Sequence, residues 1–118
     1  MSLTYPLRRM RGISVMFRNC LFTDEPIILC EGDEPKLVVM DSRVFARAYG
    51  IYTKNFNMQQ LFSDKGMDIT ATATQIQKTE NLIAFCESVS KPVIVSKYGW
   101  DVVVAMNPAE YEKMKHLF

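Results

Sequence analysis

Side chains suited to catalysis or metal binding are scarce in this 118-residue sequence. It holds one histidine, three cysteines and five glycines. The histidine, His116, lies near the end of the last helical stretch, where a cation suits the helix dipole, and no triad partner is recognisable. Cys20, Cys30 and Cys86 make an odd number without CxxC spacing, which argues against a disulfide framework or a zinc site. They are expected to be core residues in a protein of the reducing cytoplasm. The glycines form no phosphate-cradling loop. Asp24, Glu25, Glu31, Asp33 and Glu34 cluster at hairpin ends without the ligand spacing of a calcium loop. The expectation is a protein that is not an enzyme and has no cofactor and no metal.

Charge of one sign is lacking too. Fourteen Lys and Arg face thirteen Asp and Glu, a net charge of +1, so any attraction to nucleic acid must come from a local patch. No apolar run approaches the ~20 residues of a membrane helix. Arg8, Arg9 and Arg11 are not followed by the apolar stretch of a signal peptide. What remains is 48% hydrophobic and 23% charged, the composition of a folded globular chain.

In chain order, residues 2–5 read as a short strand and Pro6 suits a first helical turn. Met10, Ile13, Phe17, Cys20 and Leu21 recur at helical spacing through about residue 22. Gly12 inside that helix should cost about 1 kcal/mol. Pro26-Ile-Ile-Leu-Cys30 and Lys36-Leu-Val-Val-Met40 flank a Gly/Asp/Pro cluster and read as a hairpin. Asp41 or Ser42 caps a helix over about 43–49. Residues 52–66 are a mixed, polar connector.

A second series follows. Ile69 and Ala71 begin a strand, and Thr72 or Thr74 caps a helix to about Val89 with Ile76, Leu82, Ile83, Cys86 and Val89 on its apolar face. Lys91 to Lys97 and Asp101 to Met106 form a hairpin around Tyr98-Gly99-Trp100. Those two aromatics either anchor a partner or pack on the neighbouring unit. Asn107-Pro-Ala-Glu110 is a helix start, with Asn at the cap, Pro at N1 and Glu at N3. Both hairpins carry near-continuous apolar runs, as strands covered on two faces do.

The two series align without a gap at an offset of 66. Identities fall at Thr4/Thr70, Cys20/Cys86, Pro26/Pro92, Ile28/Ile94, Val38/Val104 and Met40/Met106. They concentrate at expected core positions, which points to an internal repeat. A unit of about 50 residues buries too little surface to be stable alone, so each would gain from its twin.

Residues 67–118 resemble the Phd/YefM antitoxin family. The resemblance rests on Ile69-Thr-Ala-Thr-Ala-Thr-Gln-Ile-Gln-Lys78, on Lys91-Pro92, Gly99 and Val102 to Met106 in the hairpin, and on Asn107-Pro-Ala-Glu-Tyr111. It reaches 1–52 through the repeat. The implied fold is α+β, with two tandem βαββα Phd/YefM-like units (1–52 and 67–118, joined by 53–66) forming an intramolecular pseudo-dimer.

The resemblance further implies an antitoxin-like, DNA-binding transcriptional regulator of a toxin-antitoxin system. Its expected partners are operator DNA, a toxin protein and a further homodimer, with no membrane. Gln77 stands where the family has an arginine on the first helix, with Lys78 beside it and Arg11 at the matching place 66 residues earlier. The sequence ends at Phe118 in or just after the closing helix, so the tail with which the family wraps its toxin is not expected.

The expected DNA-binding residues are Arg8, Arg9 and Arg11, which can neutralise phosphates in a salt-dependent manner, and Thr74, Gln75, Gln77 and Lys78, which can meet phosphates or base edges. The alternative is a non-enzymatic protein-interaction or ligand-binding module that kept the scaffold and lost DNA and toxin binding.

Overall fold

The computed structural model describes residues 3–21, 23–48, 70–97 and 101–118. Six strands form one mixed sheet: β1 (Leu3–Pro6), β2 (Ile27–Glu31), β3 (Glu34–Asp41), β4 (Thr70–Thr72), β5 (Val93–Lys97) and β6 (Asp101–Met106). Their spatial order is β1-β2-β3-β6-β5-β4. The described helices are α1 (Ile13–Leu21), α2 (Ser42–Ala48), α3 (Ala73–Ile76), α4 (Thr79–Val89) and α5 (Pro108–Met114), with 3₁₀ turns at Leu7–Met10 and Lys115–Leu117. None of these helices is long and apolar enough to cross a membrane.

Strand alternation sends side chains to two cores. Ile27, Leu29, Leu37, Val39, Val93, Val95, Val103 and Ala105 point to one face, beneath the Leu7–Met10 turn, α1, α3 and α4. Val38, Met40, Ile94, Val104 and Met106 point to the other, with Val44 and Phe45 of α2 and Tyr111 of α5. The continuous apolar runs are thus explained by a sheet covered on both sides. The result is a compact mixed α/β domain in three layers.

Residues 66 apart occupy matching places in this sheet. β1 runs parallel to β2 with Thr4 opposite Ile28, and β4 parallel to β5 with Thr70 opposite Ile94. Ile27 faces Val39 as Val93 faces Ala105. The antiparallel seam between β3 and β6 sets Val38 against Met106, Val39 against Ala105 and Met40 against Val104. Val39 and Ala105 therefore lie where a local two-fold axis would pass. The hairpins differ at their tips. The first closes on Gly32-Asp33 between Glu31 and Glu34, with Gly32 at φ 64, and its register shifts between Leu29 and Cys30 opposite Pro35. A proline without an N–H is tolerated at such a bulge. In the second, Lys97 pairs with Asp101.

Both long first helices expected from sequence are broken in two. The helical spacing of Met10, Ile13 and Phe17 spans a 3₁₀ turn, a break at Arg11 and Gly12, and then α1. Gly12 is outside the helix, so its expected helix-interior cost does not arise. The second run breaks between α3 and α4 at Gln77, whose φ is 60. Caps agree with the residues present. The Arg43 N–H donates to Asp41 Oδ1 at 3.0 Å, and the Glu110 N–H donates to Asn107 Oδ1 at 3.0 Å. Thr72 and Gln75 form a reciprocal capping box at α3, with the Thr72 N–H donating to Gln75 Oε1 and the Gln75 N–H to Thr72 Oγ1. The connector 53–66, Ile69 and the Tyr98-Gly99-Trp100 tip lie outside the described residues.

Candidate nucleic-acid interface

The two breaks meet. Gly12 and Lys78 form an isolated antiparallel bridge, the Thr79 N–H donates to the Arg11 carbonyl at 2.9 Å, and the Ile13 N–H donates to the Gln77 carbonyl at 3.4 Å. Each of α1 and α4 thus begins against the other, and its first N–H is satisfied by the opposite segment rather than by a side-chain cap. The buried Thr79 hydroxyl adds a hydrogen bond to the Met10 carbonyl. Gln77 reverses the chain tightly enough for the Lys78 N–H to reach the Ile76 carbonyl at 2.6 Å. A positive φ at a glutamine is sterically strained, and the interlocked segments hold it there.

This crossing brings Arg11, Gln77 and Lys78 together, all exposed. Arg8 and Arg11 line one cleft of about 430 Å³ with Cys30 and Glu31. Arg9 is exposed on the same 3₁₀ turn but does not line that cleft. Thr74 and Gln75 are exposed on α3, in the turn leading into the crossing. Gln75 is partly committed, because its side-chain oxygen holds the Thr72 N–H.

Two charged groups enter the site that sequence reasoning did not single out, Glu80 and Lys97, and a further cation lies along α1. Arg18 is exposed on α1. Glu80, on the first turn of α4, pairs with Arg11 at 2.5 Å, with both side chains more than half exposed. Lys97 reaches from the end of β5 to donate to Ser14 Oγ at 3.3 Å. Arg11 and Glu80 are 69 residues apart, so no local spacing signals their pairing. An exposed pair of this kind contributes at most about 1 kcal/mol, so a phosphate can compete for the guanidinium.

Chemically, the ridge offers planar guanidinium forks suited to phosphate oxygens and neutral side chains that both donate and accept hydrogen bonds. Two of the three thiols are poor nucleophiles. Burial pushes the Cys20 and Cys86 thiols up to about 12, so both are protonated at neutral pH and inert. Cys30 is half-buried in the cleft rather than a core residue as expected, because it lies at the bulge where β2 leaves the packed part of the sheet. His116 is exposed in the final 3₁₀ turn. Among the described residues no group of three His, Cys, Asp or Glu side chains is placed to hold a metal ion. No family model, curated protein or solved structure matches the chain.

Proposed function

We propose that this chain is an antitoxin-like, DNA-binding transcriptional regulator, built as two tandem βαββα-derived Phd/YefM-like units that form a pseudo-dimer within one polypeptide. The 66-residue correspondence of strand registers supports the duplicated architecture. One observation carries the DNA reading: basic and amide side chains of both halves converge on one exposed ridge where the starts of α1 and α4 meet. Arg8, Arg9 and Arg11 hold phosphates in this reading, and Thr74, Gln75, Gln77 and Lys78 extend the contact across the crossing. Free Cys20, Cys30 and Cys86 fit a reducing cytoplasm. A toxin partner enters this proposal through the family resemblance alone.

The test is a gel shift with the DNA upstream of the protein's own gene. Binding should weaken steeply with salt, each phosphate contact adding about 0.9 to the slope of log affinity on log salt. Changing Arg8, Arg9 and Arg11 together to alanine should flatten that slope by about 2.7. No retardation at low salt would retire the regulator reading.

A second reading is a non-enzymatic ligand-binding or protein-interaction module. It is favoured by the cleft between the Leu7–Met10 turn and the β2–β3 turn, and by the pairing of Arg11 with Glu80. In that case the arginine-to-alanine changes leave DNA affinity unaltered and abolish capture of a small anion instead.

A further inference from the structure

Positions related by the 66-residue offset exchange matching backbone hydrogen bonds at the crossing, Thr79 to Arg11 and Ile13 to Gln77, but do not share a chemistry. Arg8 corresponds to Thr74, Arg9 to Gln75, Arg11 to Gln77, Gly12 to Lys78, Ser14 to Glu80 and Arg18 to Ala84. Between residues 7 and 21 there are four arginines and no acid, and all four arginines are exposed. The matching stretch 73–87 has one cation, Lys78, and two acids, Glu80 and Glu87, all exposed. The 7–21 segment is thus strongly positive and the 73–87 segment weakly negative. The frame has a two-fold axis, but its charges do not.

A homodimer places identical residues on both half-sites, which is why such proteins read palindromes. Here β3 and β6 already pair with each other inside one chain, so both heads are supplied without a second copy. Resting on the DNA reading above, we infer that the chain binds duplex DNA one-sidedly. The 7–21 half grips phosphates, the 73–87 half makes few ionic contacts, and the preferred site is not a palindrome. On the 73–87 half Lys78 is the one cation, and Glu80, held against Arg11, offers a phosphate no grip. Lys97, bonded to Ser14 at the start of α1, adds a cation on the positive side although it belongs to the second half of the chain.

The experiment selects bound duplexes from a random-sequence pool at low salt, then maps phosphate contacts on the winners by ethylation interference. The expected result is an asymmetric consensus with interference on one side of its centre. A triple change Thr74→Arg, Gln75→Arg and Gln77→Arg restores the matching charges on exposed positions. It should steepen the salt slope by up to about 2.7 and bring interference to the second side. A palindromic consensus with equal interference on both sides would overturn the inference while leaving DNA binding intact. Failure of the wild-type chain to retain any duplex would overturn the DNA reading itself, and this inference with it. Far-ultraviolet circular dichroism of each variant checks that the fold is kept.

Discussion

Thr79→Val isolates one hydrogen bond at the centre of the crossing. Thr79 is 0% exposed, and its hydroxyl donates to the carbonyl of Met10, 69 residues away. Valine has nearly the same volume, so neither a cavity nor overpacking follows. What is lost is the hydroxyl donor, and what remains is a Met10 carbonyl beside an apolar methyl in the buried cluster of Leu7, Met10 and Ile76. Leaving a buried acceptor without a partner costs about 1–3 kcal/mol. With a urea dependence of about 1–3 kcal/mol per molar for small proteins, the unfolding midpoint should fall by about 1 M. The m-value should not change. Amide exchange at Ile13 and Thr79, whose N–H groups bridge the two segments, should quicken more than exchange in β3 and β6. A midpoint equal to that of the wild type would mean the hydroxyl does not hold the crossing.

Glu80→Gln should alter stability by less than about 0.5 kcal/mol, since both partners of its ion pair are largely exposed. It should tighten DNA binding at fixed salt by up to about 5-fold, because phosphate no longer competes with Glu80 for Arg11, and an unchanged affinity counts against Arg11 as a phosphate contact. Ser90 closes α4 in the left-handed region at φ 52, so Ser90→Gly should raise stability by about 0.5–1 kcal/mol in thermal melts; a lower melting temperature would contradict this. The thiols of Cys20 and Cys86 ionise near 9.0 when unfolded and near 12 when buried. Between those pH values the unfolded chain holds fewer protons. Stability is therefore complete below about pH 9 and falls as pH rises, by up to about 1.4 kcal/mol per pH unit per thiol. Urea titrations of wild type and of a Cys20→Ala, Cys86→Ala variant measure the difference, and equal alkaline losses would refute it.

Hairpins, helix caps and most core positions were legible in the sequence because their signals are local. Asn107-Pro-Ala-Glu110 carries its own hydrogen-bond partner within a few residues, and so does Thr72, one of the two caps expected for the second helical run. The runs at Val93–Val95 and Val102–Met106 state their two-sided burial through the absence of polar alternation. The breaks at Arg11–Gly12 and Gln77–Lys78 were not legible. Met10, Ile13 and Phe17 keep helical spacing across the first, and glutamine has no preference for the φ it adopts at the second. Each break is stabilised by backbone partners in the other segment, which no window of sequence contains. The same holds for the site: its basic and amide residues could be named singly, but their gathering, and the pairing of Arg11 with Glu80, belong to the tertiary crossing.

The seam at Val39 and Ala105 has a consequence for biosynthesis. During translation β3 emerges long before β6, and until then its hydrogen-bonding edge is open and flanked by Val38 and Met40. An open apolar edge is a template for a strand from another molecule, and the β6 of a neighbouring chain fits it as well as its own. Crowded nascent chains should therefore yield exchanged dimers, each sheet completed by the other's β4, β5 and β6 together, while dilute refolding favours the monomer.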